Sequence, residues 1–334
     1  MGTNMKTFNL NKIILLISLF LISVIFSTAS DASCRYNDGL LDVQSGSQQY
    51  QVYETRAGGY SDACSDTPDE YELTFYKLGI CTATTAANDL SSCQYIVNND
   101  AGVNHVIVAG TTGAMAIPEF AIDPGTYTHM VVVISNKLGV KHSFTAANSL
   151  TGASSSTGTS CWTSVAGPSS YTNEIEPITT PHGDTIADGI QLISCGAAAD
   201  SAPIFSYEVI NKLTGERCSS TWLANGDRYQ VVDEDDNVAT VGNGTAEVSL
   251  LKSTDVFATA CTDAAKILWT TTLTTPYVVT TESTWKLNMR TTDSVSIDFD
   301  SGVVDPDATP VVGSNNDIMK MGADPVQLYL TVTD

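Results

Sequence analysis

Basic residues are scarce in this chain: 15 Lys and Arg stand against 37 Asp and Glu in 334 residues, a formal charge of −22. Affinity for nucleic acid comes largely from Lys and Arg neutralising phosphates, so a nucleic-acid partner is excluded. An anionic lipid surface is an equally poor partner. What the acid excess does is keep a Thr- and Val-rich protein soluble and attract divalent cations. Catalytic signatures are also missing. No H-E-x-x-H, G-x-S-x-G, G-x-G-x-x-G or P-loop occurs anywhere. There is no C-x-x-C, and no cysteine sits near a histidine at ligand spacing, which argues against zinc. Sustained helical periodicity is absent beyond the first 30 residues, which leaves strands to build the fold.

One apolar run is present, at the N-terminus. Lys6 and Lys12 precede Ile13 to Phe26, and the small residues Ser27, Thr28, Ala29 and Ser30 follow. That order is a secretory signal peptide, expected over residues 1–29. The run is shorter than the ~20 residues a helix needs to cross a bilayer, so no transmembrane segment is expected in the mature chain. Cys34 follows soon enough to raise lipidation, but Asp31 occupies the place where lipoprotein signals carry a Leu-like residue. Removing Lys6 and Lys12 takes the charge from −22 to −24. The expected location is extracytoplasmic: periplasm, cell surface or medium.

Eight cysteines follow the signal: Cys34, Cys64, Cys81, Cys93, Cys161, Cys195, Cys218 and Cys261. In an oxidising compartment an even set of this kind reads as disulfides. Many connectivities are open; pairing sequence neighbours gives Cys34 with Cys64, Cys81 with Cys93, Cys161 with Cys195, and Cys218 with Cys261.

The rest of the chain is a succession of short β-branched and aromatic segments bounded by Gly, Pro, Asn, Asp or Ser. They include Tyr71 to Ile80, Thr126 to Ser135, Val140 to Thr145, Phe205 to Lys212, Ile267 to Leu273 and Gln327 to Thr333. Many short strands at turn spacing predict an all-β fold, an antiparallel β-sandwich. Pro124-Gly125-Thr126-Tyr127 leads into one strand, and Asn136-Lys137-Leu138-Gly139 reads as the turn of a hairpin to the next. Ser149 to Ser160 is Ser, Thr and Gly with no core pattern, a linker or exposed loop over residues 149–160. It divides a β-sandwich domain at 34–148 from a second β domain at 161–334. The Gly- and Asp-rich stretch from Gly313 to Pro325 reads as a tether for the terminal strand, which either closes its own sheet or adds to a neighbour.

Candidate chemistry is sparse. His105, His129 and His142 lie in or beside predicted strands, where a hydrogen-bonded structural histidine is the ordinary role, and His182 stands in a polar turn. Asp233, Asp235 and Asn237 alternate at a hairpin tip like the first oxygen ligands of an EF-hand-type loop, so they are the candidate calcium ligands. The pattern then fails, with Val238 at the sixth position and Gly244 at the twelfth. Asp298, Asp300, Asp305 and Asp307 form a second acidic cluster. Trp162, Trp222, Trp269 and Trp285 would form a sugar-stacking platform if they faced outward, or anchor a core if they did not.

The stretch from Tyr71 to Cys81, with Asp123 to Ile134, resembles uncharacterised secreted β-sandwich proteins of marine bacteria. It is also similar to prealbumin-type sandwiches of bacterial envelope and carbohydrate-associated proteins, which lead into a strand with Pro-Gly-x-Tyr. The resemblance covers roughly residues 70–145. It implies a fold class and a surface or periplasmic setting, and it carries no catalytic residues. Secretion, cross-linking, many strands and the missing catalytic motifs together lead to the expected function, structural or adhesive and not enzymatic, with other surface proteins, further copies of the chain or glycans as partners. A carbohydrate- or calcium-dependent binding module is the alternative, and an extracellular hydrolase the second.

Overall fold

The structure is a computed structural model. It describes residues 33–45, 50–55, 58–61, 63–84, 89–109, 122–152, 156–164, 177–179, 185–187, 193–200, 203–210, 229–230, 240–241, 243–259, 263–299, 317–324 and 326–333. No α-helix occurs among them, and the fold is all-β as expected.

The chain begins with short strands: β1 (Tyr36–Asn37), β2 (Leu40–Leu41), β3 (Val43–Ser45), β4 (Tyr50–Glu54), β5 (Gly59–Ser61) and β6 (Ala63–Asp66). Long ones follow in β7 (Glu70–Cys81), β8 (Cys93–Val108) and β9 (Gly125–Ser135). Next come β10 (Lys137–Lys141), β11 (Ser143–Thr151), β12 (Thr157–Thr163), β13 (Pro177–Thr179), β14 (Thr185–Ala187), β15 (Ile193–Gly196) and β16 (Ser206–Val209). Last are β17 (Tyr229–Gln230), β18 (Thr240–Val241), β19 (Gly244–Leu251), β20 (Lys266–Val279), β21 (Thr284–Arg290), β22 (Val295–Phe299), β23 (Ile318–Ala323) and β24 (Gln327–Thr333).

The largest sheet runs β16-β10-β7-β9-β20-β19-β17, with β8 added to β7 and β18 to β19. Smaller sheets are β1-β2-β11-β12-β15, β23-β22-β6, β3-β4-β5, β13-β14 and β21-β24. Among the described residues pairing is antiparallel except for a parallel contact of Ala146 with Leu41 and an isolated parallel bridge of Ser33 with Ser65. Sheets join residues from both sides of the 149–160 stretch, since β9 pairs with β20 and β6 with β22. Leu150 opposes Gly158 and Thr151 opposes Thr157, so that stretch turns the β11–β12 hairpin.

Met130-Val131-Val132-Val133-Ile134 lacks the polar alternation of a half-exposed strand because both faces of β9 are covered. Met130, Val132 and Ile134 enter the main core with Leu73, Phe75, Leu78 and Ile80 of β7. Val131 and Val133 join Cys81, Leu251 and Leu268 in a smaller cluster on the opposite face. Leu73, Phe75, Leu78 and Ile80 are fully buried, and each such side chain contributes roughly 1.5–3 kcal/mol. The Pro124-Gly125 corner is locked by Tyr127, itself buried, whose hydroxyl donates to the Asp123 carbonyl at 2.7 Å.

The hairpin expected at Asn136–Gly139 does not form. β9 and β10 run end to end along the same side of β7: Cys81 pairs with His129 and Phe75 with Ile134, then Glu72 with Gly139 and Glu70 with Lys141. On its other side β9 pairs with β20 whereas β10 pairs with β16, so the sheet divides at Asn136. Asn136 is fully buried and ties the two branches together, its Nδ2 donating to the carbonyls of Ala264 at 2.9 Å and Ile210 at 3.0 Å. A local turn signature lost to the demand of β7 for a continuous partner.

The expected tether before the last strand is also a strand in part. β23 pairs with β22, and β24 pairs with β21 along its full length, from Gln327 opposite Arg290 to Thr333 opposite Thr284. The terminal strand thus closes within its own chain. Leu287, Met289, Leu328 and Leu330 bury this ribbon in the main core.

Candidate functional site

Three of the expected disulfides are formed: Cys34–Cys64, Cys81–Cys93 and Cys161–Cys195. Cys218 and Cys261 lie outside the described residues, as do Asp233, Asp235, Asn237 and His182. Of the second acidic cluster only Asp298 is described, in β22, accepting from the Ser296 hydroxyl at 3.1 Å. Among the described residues no three His, Cys, Asp or Glu side chains converge on a metal position.

The three described tryptophans do not form a common platform. Trp269 is buried with its Nε1 donating to Thr271 Oγ1 at 3.0 Å, and Trp285 packs against the same core. Trp162 lies over Gly196, where a Cβ would come 3.1 Å from its ring, and Trp222 is outside the described residues. His129 and His142 are buried. His129 shares a 2.8 Å hydrogen bond with the Thr128 hydroxyl, and His142 Nε2 lies 3.3 Å from Asp66 Oδ2. Asp66 also accepts from the Tyr36 hydroxyl. Burial pushes the Asp66 carboxyl up, but His142, Tyr36 and the Thr67 amide outweigh it and hold it below the usual carboxylate value. The His142 side chain is 4% exposed and that of Asp66 19%.

Two other clusters lie away from the main core on the large sheet. In the first, Asp255 projects from the turn after β19 and receives Lys77 Nζ at 2.6 Å and Lys266 Nζ at 2.7 Å. Burial raises the Asp255 carboxyl, yet the two ammonium groups dominate and its net shift is downward. The Lys266 ammonium also lies 4.3 Å from the centroid of the Tyr76 ring. A small cavity lies beside this ion triad, lined in part by Leu90, Tyr95, Val133 and Leu268.

The second cluster lies at the far end of the same sheet. Gly139 pairs with Glu72 on one side and with Tyr207 on the other, so Glu72, Gly139 and Tyr207 occupy one row and share a face. A Cβ at Gly139 would meet Tyr207 Cε1 at 2.9 Å, Glu72 Cβ at 3.1 Å and Phe205 Cδ1 at 3.2 Å. The missing side chain is what lets the Tyr207 ring cross β10 to reach β7. There its hydroxyl donates to Glu72 Oε1 at 3.1 Å. Lys137 Nζ lies 4.6 Å from the Tyr207 ring centroid and Lys141 Nζ 4.5 Å from that of Phe205, while Lys141 pairs with Glu70 at 3.0 Å. The two rings are 6.1 Å apart at 35°. Beyond Glu72, the row reaches Val106 of β8, which is 38% exposed.

Sequence reasoning did not single out this face. Phe205-Ser206-Tyr207 shows the alternation that puts two rings on one side, but nothing local pairs residue 207 with 139 and 72. No family model, curated protein or solved structure matches the chain.

Proposed function

We propose that this chain works outside the cytoplasm as a structural or adhesive β protein of the cell surface, periplasm or surrounding medium. The observation that carries the reading is the set of three disulfides in a large all-β frame. Such bonds persist in oxidising compartments, and a chain with this much buried apolar surface does not need them to compensate for small size. Its acid excess suits solubility in that setting. No helix among the described residues is long and apolar enough to cross a membrane.

A carbohydrate-binding reading has a specific support of its own. Phe205 and Tyr207 lie on a sheet face beside both lysine and glutamate, the mixture of ring surface and polar groups by which sugars are held.

Fractionation of the producing cells tests the main reading. The chain is expected in the envelope or medium, shortened at its N-terminus and with its cysteines resistant to alkylation, and cells lacking it are expected to lose surface attachment or surface order. A full-length, reduced chain in the cytosol would overturn the proposal.

A further inference from the structure

We propose that the face made by β16, β10, β7 and β8 binds an uncharged polysaccharide, with sugar rings stacking on Tyr207 and Phe205. The inference deepens the adhesive reading by naming a ligand class, and it rests on that reading.

Four features argue for this ligand. The Tyr207 ring crosses the sheet where Gly139 leaves space, and its orientation is fixed by the bond from its hydroxyl to Glu72. The Lys137 ammonium stands 4.6 Å from this ring's centroid and the Lys141 ammonium 4.5 Å from that of Phe205, so a sugar stacks by displacing a lysine from a ring that loses little further conformational freedom. The polar groups around it, Glu70 and Glu72 with Lys137 and Lys141, supply acceptors and donors, and sugar hydroxyls need both.

Charge selects among sugars. Two lysines balance two glutamates on this face, whereas the whole chain carries 15 basic against 37 acidic residues. A polyanionic glycan would meet the repulsive field of the rest of the surface, and a divalent cation would meet lysines. A neutral glycan meets neither obstacle.

Shape selects an extended chain over a small molecule. The face is open at its β8 margin, where Val106 is 38% exposed. From β16 to β8 it spans three strand spacings, ~14 Å. A flat strip gives a small ligand no enclosure but gives a polymer repeated contacts.

The test uses the mature, disulfide-bonded protein in affinity electrophoresis through gels containing dextran, laminarin, xylan or mannan. Retardation by at least one polymer is expected. Tyr207→Ala and Phe205→Ala should each weaken it roughly tenfold, the equivalent of about 1.4 kcal/mol. Tyr207→Trp should restore binding, and Trp285→Ala should leave it unchanged. Circular dichroism and intact mass establish that each variant is folded and oxidised. Absence of retardation by every polymer overturns the proposal, as does retardation that survives both ring substitutions. If instead the wild type sediments as a dimer that Tyr207→Ala dissolves, with no polymer bound, the face serves a second copy and the proposal fails. Failure of the broader reading is separate: a protein found in the cytosol can still bind these polymers in the gel.

Discussion

The two ends of the large sheet use the same side chains for different ends. At one, Lys77 and Lys266 close on Asp255 above Val131, Val133, Leu251 and Leu268, with aromatic rings packed around them. At the other, Lys137 and Lys141 stand with Glu70 and Glu72 beside Tyr207 and Phe205. What separates them is cover. The turn from Lys252 to Val256 places Asp255 over the first end, where Lys266 is buried at 5% exposure and is the one fully enclosed ion of the two clusters, while the Lys141 and Glu70 side chains at the second are 24% and 33% exposed. Buried ions must be matched to one another, so the first cluster is committed to holding the fold; partly hydrated ones can exchange partners, so the second is available to a ligand.

The largest expected effect at the covered end comes from its disulfide. Cys81 and Cys93 face one another across β7 and β8, 12 residues apart in sequence. Replacing both with Ser should cost about 3 kcal/mol through loop-closure entropy alone. Urea denaturation would measure it, and a loss under 1 kcal/mol would show that packing holds this end without the bond.

Asp255→Ala comes next. It strands the Lys266 ammonium in a site with little water, a change that costs 3–5 kcal/mol for fully buried pairs. The Asp255 side chain is 28% exposed, so solvent screening reduces the expectation to roughly 2 kcal/mol. Because the folded carboxyl is held below its ordinary value of ~3.9, its contribution is complete above that pH and is lost as the pH falls through the folded value. Lys77 is shifted the other way: burial lowers it, the bond to Asp255 outweighs burial, and the net shift is upward. Its share is present below the ordinary lysine value of ~10.4 and is lost as the pH rises through the folded one. Melting temperatures of wild type and variant should therefore converge in acid.

Between the two ends stands Asn136. Asn136→Ala leaves the carbonyls of Ala264 and Ile210 without their side-chain donor, and a loss of about 2 kcal/mol is expected by urea denaturation. Asn136→Asp should be worse, since it offers acceptors to acceptors. If both variants are neutral, the division of the sheet does not depend on this amide.

Asn136 also marks the limit of what could be read in the sequence. Strand positions were legible because β-branched runs and turn residues are local signals: Gln327 to Thr333 is a strand over the same residues, and Met130 to Ile134 lies within one. The same local signals misled at Asn136 and Gly139. Asn and Gly there serve a buried bridge and a ring crossing, whose partners lie more than 60 residues away. The Gly- and Asp-rich approach to the last strand concealed β23 because its pairing with β22 decides its conformation more than its composition does. The aromatic face was illegible for that reason as well: it exists only through the register of three strands that are not neighbours in sequence.

The smallest effect expected is at the open end. Lys141 and Glu70 form an ion pair at 3.0 Å, with side chains 24% and 33% exposed. In that setting water already solvates both partners, and holding two flexible side chains together costs rotamer entropy, so the pair contributes about 0.2–1 kcal/mol. Lys141→Ala should therefore lower stability by no more than that, and the difference should shrink as salt rises from 0.05 to 0.5 M, where screening shortens the reach of exposed charges. Thermal melts of wild type and variant across that range measure both. A salt-insensitive loss above 2 kcal/mol would mean that Lys141 is held as Lys266 is, and that this end of the sheet is as closed as the other.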